Sequence, residues 1–169
     1  MLETTIDVPS TNSKRLDSGK GFSNEHWSGL TVTINTWLFE RQELITLYCS
    51  LSATISQNNF SNRLTKFCEI LVDYISVGHF EVFAELEAEA RTFDSRGLQL
   101  VQALYPYIAQ STEAAIRFND LCAQLADSEA NSSQLRPMLS ELGETLTNRF
   151  ELEDQLIEYL HTSNETIAC

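Results

Sequence analysis

The sequence predicts an all-α protein, an antiparallel four-helix bundle with extra short helices, and three observations lead there. Apolar residues recur every three or four positions through most of the chain, the spacing that puts them on one side of a helix. Breakers are scarce: after Gly29 only Gly78, Gly97 and Gly143, with Pro106 and Pro137, interrupt stretches rich in Leu, Ala, Glu and Gln. No strand-like alternation of useful length occurs, and no internal repeat. A chain of 169 residues is long enough for one domain with a real core.

Residues 1–28 are rich in Ser, Thr, Asn, Gly and Lys and lack a sustained apolar period, so they are expected to form a flexible arm. Residues 29–163 make the helical domain, and 164–169 a short tail. The first long helix is expected from Leu30 to Ile55, with Trp37, Arg41, Leu44, Tyr48, Leu51 and Ile55 along its seam. Gln57-Asn58-Asn59 ends it, and Asn59 or Ser61 can cap the next helix, Ser61 to Val77. Gly78 loosens or bends that helix. Phe80 to Ala90 resumes as a short acidic helix, and Thr92 to Gly97 connects it to a third long helix, Leu98 to Ala126. There Val101, Leu104, Ile108, Thr112, Ala115, Asn119 and Cys122 share a side. Pro106 removes a backbone donor and predicts a kink or fresh start near Tyr105. After a polar loop, Asp127 to Ser133, the last helix tolerates Pro137 in its early turns and runs to His161. Leu139, Leu142, Leu146, Phe150, Leu156, Ile157 and Leu160 form its apolar face.

Two features do not fit a plain bundle. Along the second helix, Leu64, Phe67, Cys68, Leu71 and Ile75 fall on one face, while Ile70, Asp73, Val77 and Phe80 fall roughly opposite. The second stripe has a carboxylate at its centre and ends beside Gly78 and His79. A helix buried on both sides would give the same two stripes, but a surface made to be covered by a partner also explains the carboxylate. The second feature is charge at core positions: Arg41 in the first helix, and Arg149 and Glu153 in the middle of the last apolar face. Buried charges persist only when paired, so these three are expected to form a structural polar cluster that fixes helix register.

Twenty-four acidic and eleven basic residues give a net charge of −13. A field of that sign favours a basic partner and disfavours direct contact with nucleic acid or an anionic membrane. No apolar run reaches about 18 residues, the length of a spanning helix, and the first residues lack the pattern of a signal peptide; a cytoplasmic protein is expected. Cys49, Cys68, Cys122 and Cys169 show no metal or redox spacing, and the first three read as small buried thiols. Glu158-x-x-His161 has the spacing of a di-iron ligand pair, but the second such pair and the further inward glutamates are missing. Ser18-Gly19-Lys20-Gly21 lacks the parts of a phosphate loop. The motifs argue for no catalysis, no cofactor and no metal.

Leu71-Val72-Asp73-Tyr74-Ile75-Ser76-Val77-Gly78-His79-Phe80, preceded by Phe67-Cys68, resembles the signature of the bacterial regulator of sigma D family, the Rsd/AlgQ anti-sigma factors. Trp37-Leu38-x-x-Arg41-x-x-Leu44 resembles that family's first helix. Leu139-Ser140-Glu141-Leu142-Gly143-Glu144-x-Leu146-x-x-Arg149-Phe150-x-Leu152-Glu153-Asp154 resembles its last. The likeness covers Ile34 to Leu160. It implies a four-helix bundle that binds, one to one, the C-terminal region four of the primary sigma factor of RNA polymerase. That region is a basic helix-turn-helix surface that reads the −35 promoter element. Sequestering it would free core polymerase for alternative sigma factors in stationary phase.

The resemblance makes Asp73 the charged anchor, with Leu71, Ile75, Ser76 and Phe80 beside it and His79 as a polar rim. The angular pattern places Leu71 and Ile75 in the core, so for these two the resemblance and the pattern point different ways. Two other readings stand: the same fold serving another client, such as a phosphocarrier protein or a stringent-response enzyme, and a phosphotransfer module using His79.

Overall fold

The computed structural model describes residues 18–54, 60–93, 95–125 and 132–168, and every one of them is helical. Helix α1 spans Ser18–Thr54, α2 Phe60–Val77, α3 Phe83–Phe93, α4 Ser95–Leu125 and α5 Ser132–Ala168. A π-helical turn, Gly78–Val82, joins α2 to α3. Helix α2 packs on α1 and on α4, α4 packs on α3 and α5, and α1 also touches α5. Among the described residues no helix is long and apolar enough to cross a membrane.

The seam positions of the sequence form the core. Trp37, Leu44 and Leu51 of α1 meet Phe67, Leu71 and Ile75 of α2, Ile108 and Ala115 of α4, and Leu139, Leu142, Leu146 and Leu156 of α5. Each large apolar side chain so buried contributes about 1.5–3 kcal/mol. Phe67 lies edge-on to Phe118 at 6.0 Å between ring centres, which fixes α2 against α4. Ile55, the last expected seam residue of α1, lies outside the described residues.

The helix ends differ from the sequence expectation. Helix α1 begins at Ser18, inside the expected arm, because a helix anchored by Leu30 and Ile34 extends at only the small cost of propagation. Helix α5 runs through Ala168 rather than ending at His161, so it includes most of the expected tail. Ser61 lies inside α2, which begins at Phe60, and is therefore not its cap. The turn Gln57-Asn58-Asn59, and all of the expected polar loop except Ser132 and Ser133, lie outside the described residues. Pro106 produces no break: α4 is one helix from Ser95 to Leu125. Pro106 and Gln102, whose carbonyl loses its donor, are both exposed, so water can satisfy that carbonyl. Cys49, expected to be buried, is exposed.

Gly78 does more than bend the chain. A Cβ there would lie 2.8 Å from Cζ2 of Trp37 and 3.0 Å from its Nε1. The indole cannot retreat, because its Nε1–H donates to the Tyr74 carbonyl at 3.1 Å and its ring stacks on Tyr74 at 5.3 Å. Gly143 has a similar duty in α5, where a Cβ would meet the Tyr48 hydroxyl, itself donating to the Leu139 carbonyl at 2.8 Å. Gly78→Ala should therefore destabilise the protein by about 1–2 kcal/mol, overpacking outweighing the gain in helix propensity. A urea midpoint equal to or above that of the parent protein would show that Trp37 can move.

Candidate functional site: a buried polar cluster and an acidic face

The helical register of α1 and α2 makes two sites from neighbouring residues. Arg41 and Tyr74 point inward, while Glu40 is half-buried and Asp73 exposed. Inside, Glu153 of α5 is the hub. Its Oε1 accepts from Arg149 Nε at 2.6 Å, and its Oε2 accepts from Arg41 Nη2 at 2.8 Å and from the Tyr74 hydroxyl. Arg41 Nε donates to the same hydroxyl at 3.1 Å, and its Nη1 reaches Asp154 at the rim. Arg149 Nη1 extends the network to α4 through Thr112 Oγ1 at 2.8 Å and Ser111 Oγ at 3.1 Å. The Arg41 guanidinium also lies 4.9 Å from the Phe150 ring centre. The structure thus brings Arg41, Arg149 and Glu153 together. Tyr74, Asp154, Ser111 and Thr112, which the sequence did not single out, complete the set.

Burial pushes the Glu153 carboxyl above its ordinary range, opposed by Arg149, Tyr74 and Arg41. Burial opposes the charge on Arg41, yet Tyr74, Asp154 and Glu153 together keep it more firmly protonated than usual. The Tyr74 phenol is pushed well up, first by burial and then by Glu153, against the pull of Arg41. A folded-state value above the unfolded one means that the unfolded chain loses this proton first as pH rises. Stability from Tyr74 is therefore full below about pH 10 and declines above it by about 1.4 kcal/mol per pH unit. Urea midpoints measured from pH 9 to 11 should fall more steeply in the parent than in Tyr74→Phe, by one proton's slope. Parallel curves would contradict this.

Outside, Asp73 is exposed in the middle of α2, Ser76 and His79 are half-buried, and Phe80 is 73% exposed. Leu71 and Ile75 are core residues, 0% and 2% exposed, because they continue the face of Leu64 and Phe67. As surface contact residues they are corrected: they support the face from within. His79 Nε2 lies 3.3 Å from the Tyr105 hydroxyl, and its ring meets Phe80 edge-on at 5.0 Å, so Phe80 leans on a histidine that Tyr105 holds. His79 Nδ1 is buried without a hydrogen-bond partner. Neither nitrogen is freely presented to a phosphodonor.

Sequence reading missed the acids around Asp73. Glu40 of α1 has one carboxyl oxygen buried without a hydrogen bond. Its carboxyl is raised above the usual range by burial first and then by Asp73, Glu81 and Glu43. Four carboxylates from α1, α2 and the π turn thus crowd one area, and no ion pair links them to a cation among the described residues. Phe39, beside Glu40 in sequence, is 65% exposed. The arrangement offers acceptors and apolar edges to a cationic surface. Among the described residues no cluster of three or more His, Cys, Asp or Glu could hold a metal ion.

Comparison with known proteins identifies the family. The family model described as "Regulator of RNA polymerase sigma(70) subunit, Rsd/AlgQ" matches residues 20–161. The chain is 30% identical over 136 residues to the "Regulator of sigma D" of Yersinia enterocolitica, covering 78% of this chain and 81% of that protein. It is 32% identical over 143 residues to the protein of that description from Pectobacterium carotovorum, covering 81% of this chain and 93% of the relative. No solved structure matches. With the match running from the early turns of α1 through the Arg149 and Glu153 region of α5, the chain belongs to the Rsd/AlgQ family, regulators of the sigma(70) subunit of RNA polymerase.

Proposed function

We propose that this protein binds region four of the primary sigma factor through the face around Asp73, one to one. Binding keeps that sigma off core polymerase and favours alternative sigma factors in stationary phase. It acts in the cytoplasm as a stoichiometric binder without a cofactor, touching neither DNA nor membrane. The observation that carries this reading is the group Glu40, Glu43, Asp73 and Glu81, which has no ion pair to a cation among the described residues and includes the neighbour in sequence of exposed Phe80. A helix-turn-helix that contacts DNA phosphates presents the complementary cations, and covering it with protein occludes promoter contact. Like charges held this close raise the energy of the free protein, and a cationic partner relieves that repulsion.

Calorimetric titration of the full chain with isolated region four of its own primary sigma factor tests this. One-to-one binding that weakens with added salt is expected. The raised Glu40 carboxyl adds a signature. A partner cation favours its ionised form, so protons leave Glu40 on binding and affinity rises with pH across the acidic range. Glu40→Gln should flatten that pH dependence. Absence of binding at low salt, or an affinity indifferent to salt and pH, would count against region four as the client.

A further inference from the structure

Two buried thiols take no part in the sites described so far. Cys68 of α2 and Cys122 of α4 come from helices packed against each other, and each side chain is nearly enclosed, at 8% and 4% exposure. Both nevertheless line the same open groove between α2 and α4, about 600 Å³ in volume, with Leu64, Val72, Asp73 and Asn119 also in its walls. A core cysteine is ordinarily inert because nothing reactive reaches it. Here two thiols from different helices line one groove roomy enough for a small oxidant. The described part of the chain has another thiol, Cys49, but it is exposed on α1 and outside this groove.

We propose that Cys68 and Cys122 are a peroxide-reactive pair that closes to a disulfide between α2 and α4. The Cys68 sulfur is the attacking partner. The neighbouring Cys122 side chain holds its thiol below the usual range, although burial and Glu69 oppose this. Cys122, pushed up by the Cys68 side chain and by burial, stays protonated and resolves the intermediate. In the first step the Cys68 thiolate attacks one peroxide oxygen and the O–O bond breaks. The departing hydroxide takes the proton Cys68 had released, leaving one water and a sulfenic acid on Cys68. In the second step the Cys122 sulfur attacks the Cys68 sulfur, the S–O bond breaks, and the hydroxyl leaves with the Cys122 proton as a second water. The two sulfurs give up two electrons and one hydrogen peroxide becomes two waters. The bond would pin α2 to α4 in the groove that Asp73 borders, making the stiffness of that helix pair responsive to oxidant.

The test uses the full chain carrying Cys49→Ser and Cys169→Ser, beside the unaltered protein. Each is treated with one equivalent of hydrogen peroxide, trapped with N-ethylmaleimide in denaturant and weighed intact. The expected product has lost two hydrogens, takes up no maleimide and yields a peptide linking Cys68 to Cys122 that dithiothreitol separates. The folded protein should close the bond at least about tenfold faster than the same protein in urea, where the thiols meet only by closing a long loop. Equal rates in the two states, covalent dimers, sulfinic acids, or two maleimides per chain after peroxide would each overturn the proposal. If the doubly substituted chain fails to fold, the linked peptide is sought in the unaltered protein, and its absence there has the same meaning.

Discussion

Glu153→Gln is expected to destabilise the protein by about 3–5 kcal/mol, the usual result of removing one partner from a buried charge network. The substitution keeps the side-chain shape and removes the charge that two guanidiniums share. Arg149 is fully buried and would be left with only neutral partners on α4, the Ser111 and Thr112 hydroxyls and the Ile108 carbonyl. Arg41 would keep Asp154, but that carboxylate is 63% exposed and screened by water. A glutamine also places an amide N–H₂ where Arg149 or Arg41 already donates, so one donor faces another. For a chain of this size, 3–5 kcal/mol lowers the melting temperature by roughly 6–20 °C. Asp154→Asn, at the wet edge of the same network, should change stability by less than about 1 kcal/mol. If urea unfolding gave the two variants equal values, Glu153 would not be the hub the geometry makes it.

The polar cluster was partly legible because charge at an apolar position stands out in a sequence. Arg41, Arg149 and Glu153 broke the hydrophobic period of their helices, and the need to pair buried charges was enough to group them. Tyr74 broke no pattern, since an aromatic residue in an amphipathic helix reads as core. Its hydroxyl became visible only when α1 and α5 placed Arg41 and Glu153 beside it. The acid group failed for the opposite reason. Glu40, Glu43 and Glu81 are three of twenty-four acidic residues, and only the packing of α1 on α2 distinguishes them. Gly78 shows a third kind of limit. As a local signal it means a bend, but what requires it is the Trp37 indole on another helix, and a contact so distant in sequence leaves no local trace. Helix ends were read least well, at Ser18 and Ala168, because a helix propagates at little cost beyond its last apolar period and composition does not mark where it stops.

Asp73→Ala should weaken binding to sigma region four by about 2–5 kcal/mol, the size of a lost charge partner in an interface, while leaving the fold alone. Asp73 is exposed, so its removal should move stability by no more than about 0.5 kcal/mol. Leu71→Ala and Ile75→Ala are the contrasting variants. Each should lower stability by about 2–5 kcal/mol through the cavity it leaves, and any weaker binding would follow the loss of folded protein. The kinetic pattern separates anchor from field. Loss of a covered anchor at Asp73 should appear in the dissociation rate, whereas Glu81→Gln, on the exposed turn, should lower mainly the association rate and its salt dependence. Phe80→Ala, which removes an exposed ring rather than a charge, should slow neither association nor its response to salt but should speed release. Should Asp73→Ala change only the association rate, Asp73 belongs to the rim, and the anchor passes to Glu40, whose buried, unpartnered oxygen is the other place on this face where an incoming cation gains most.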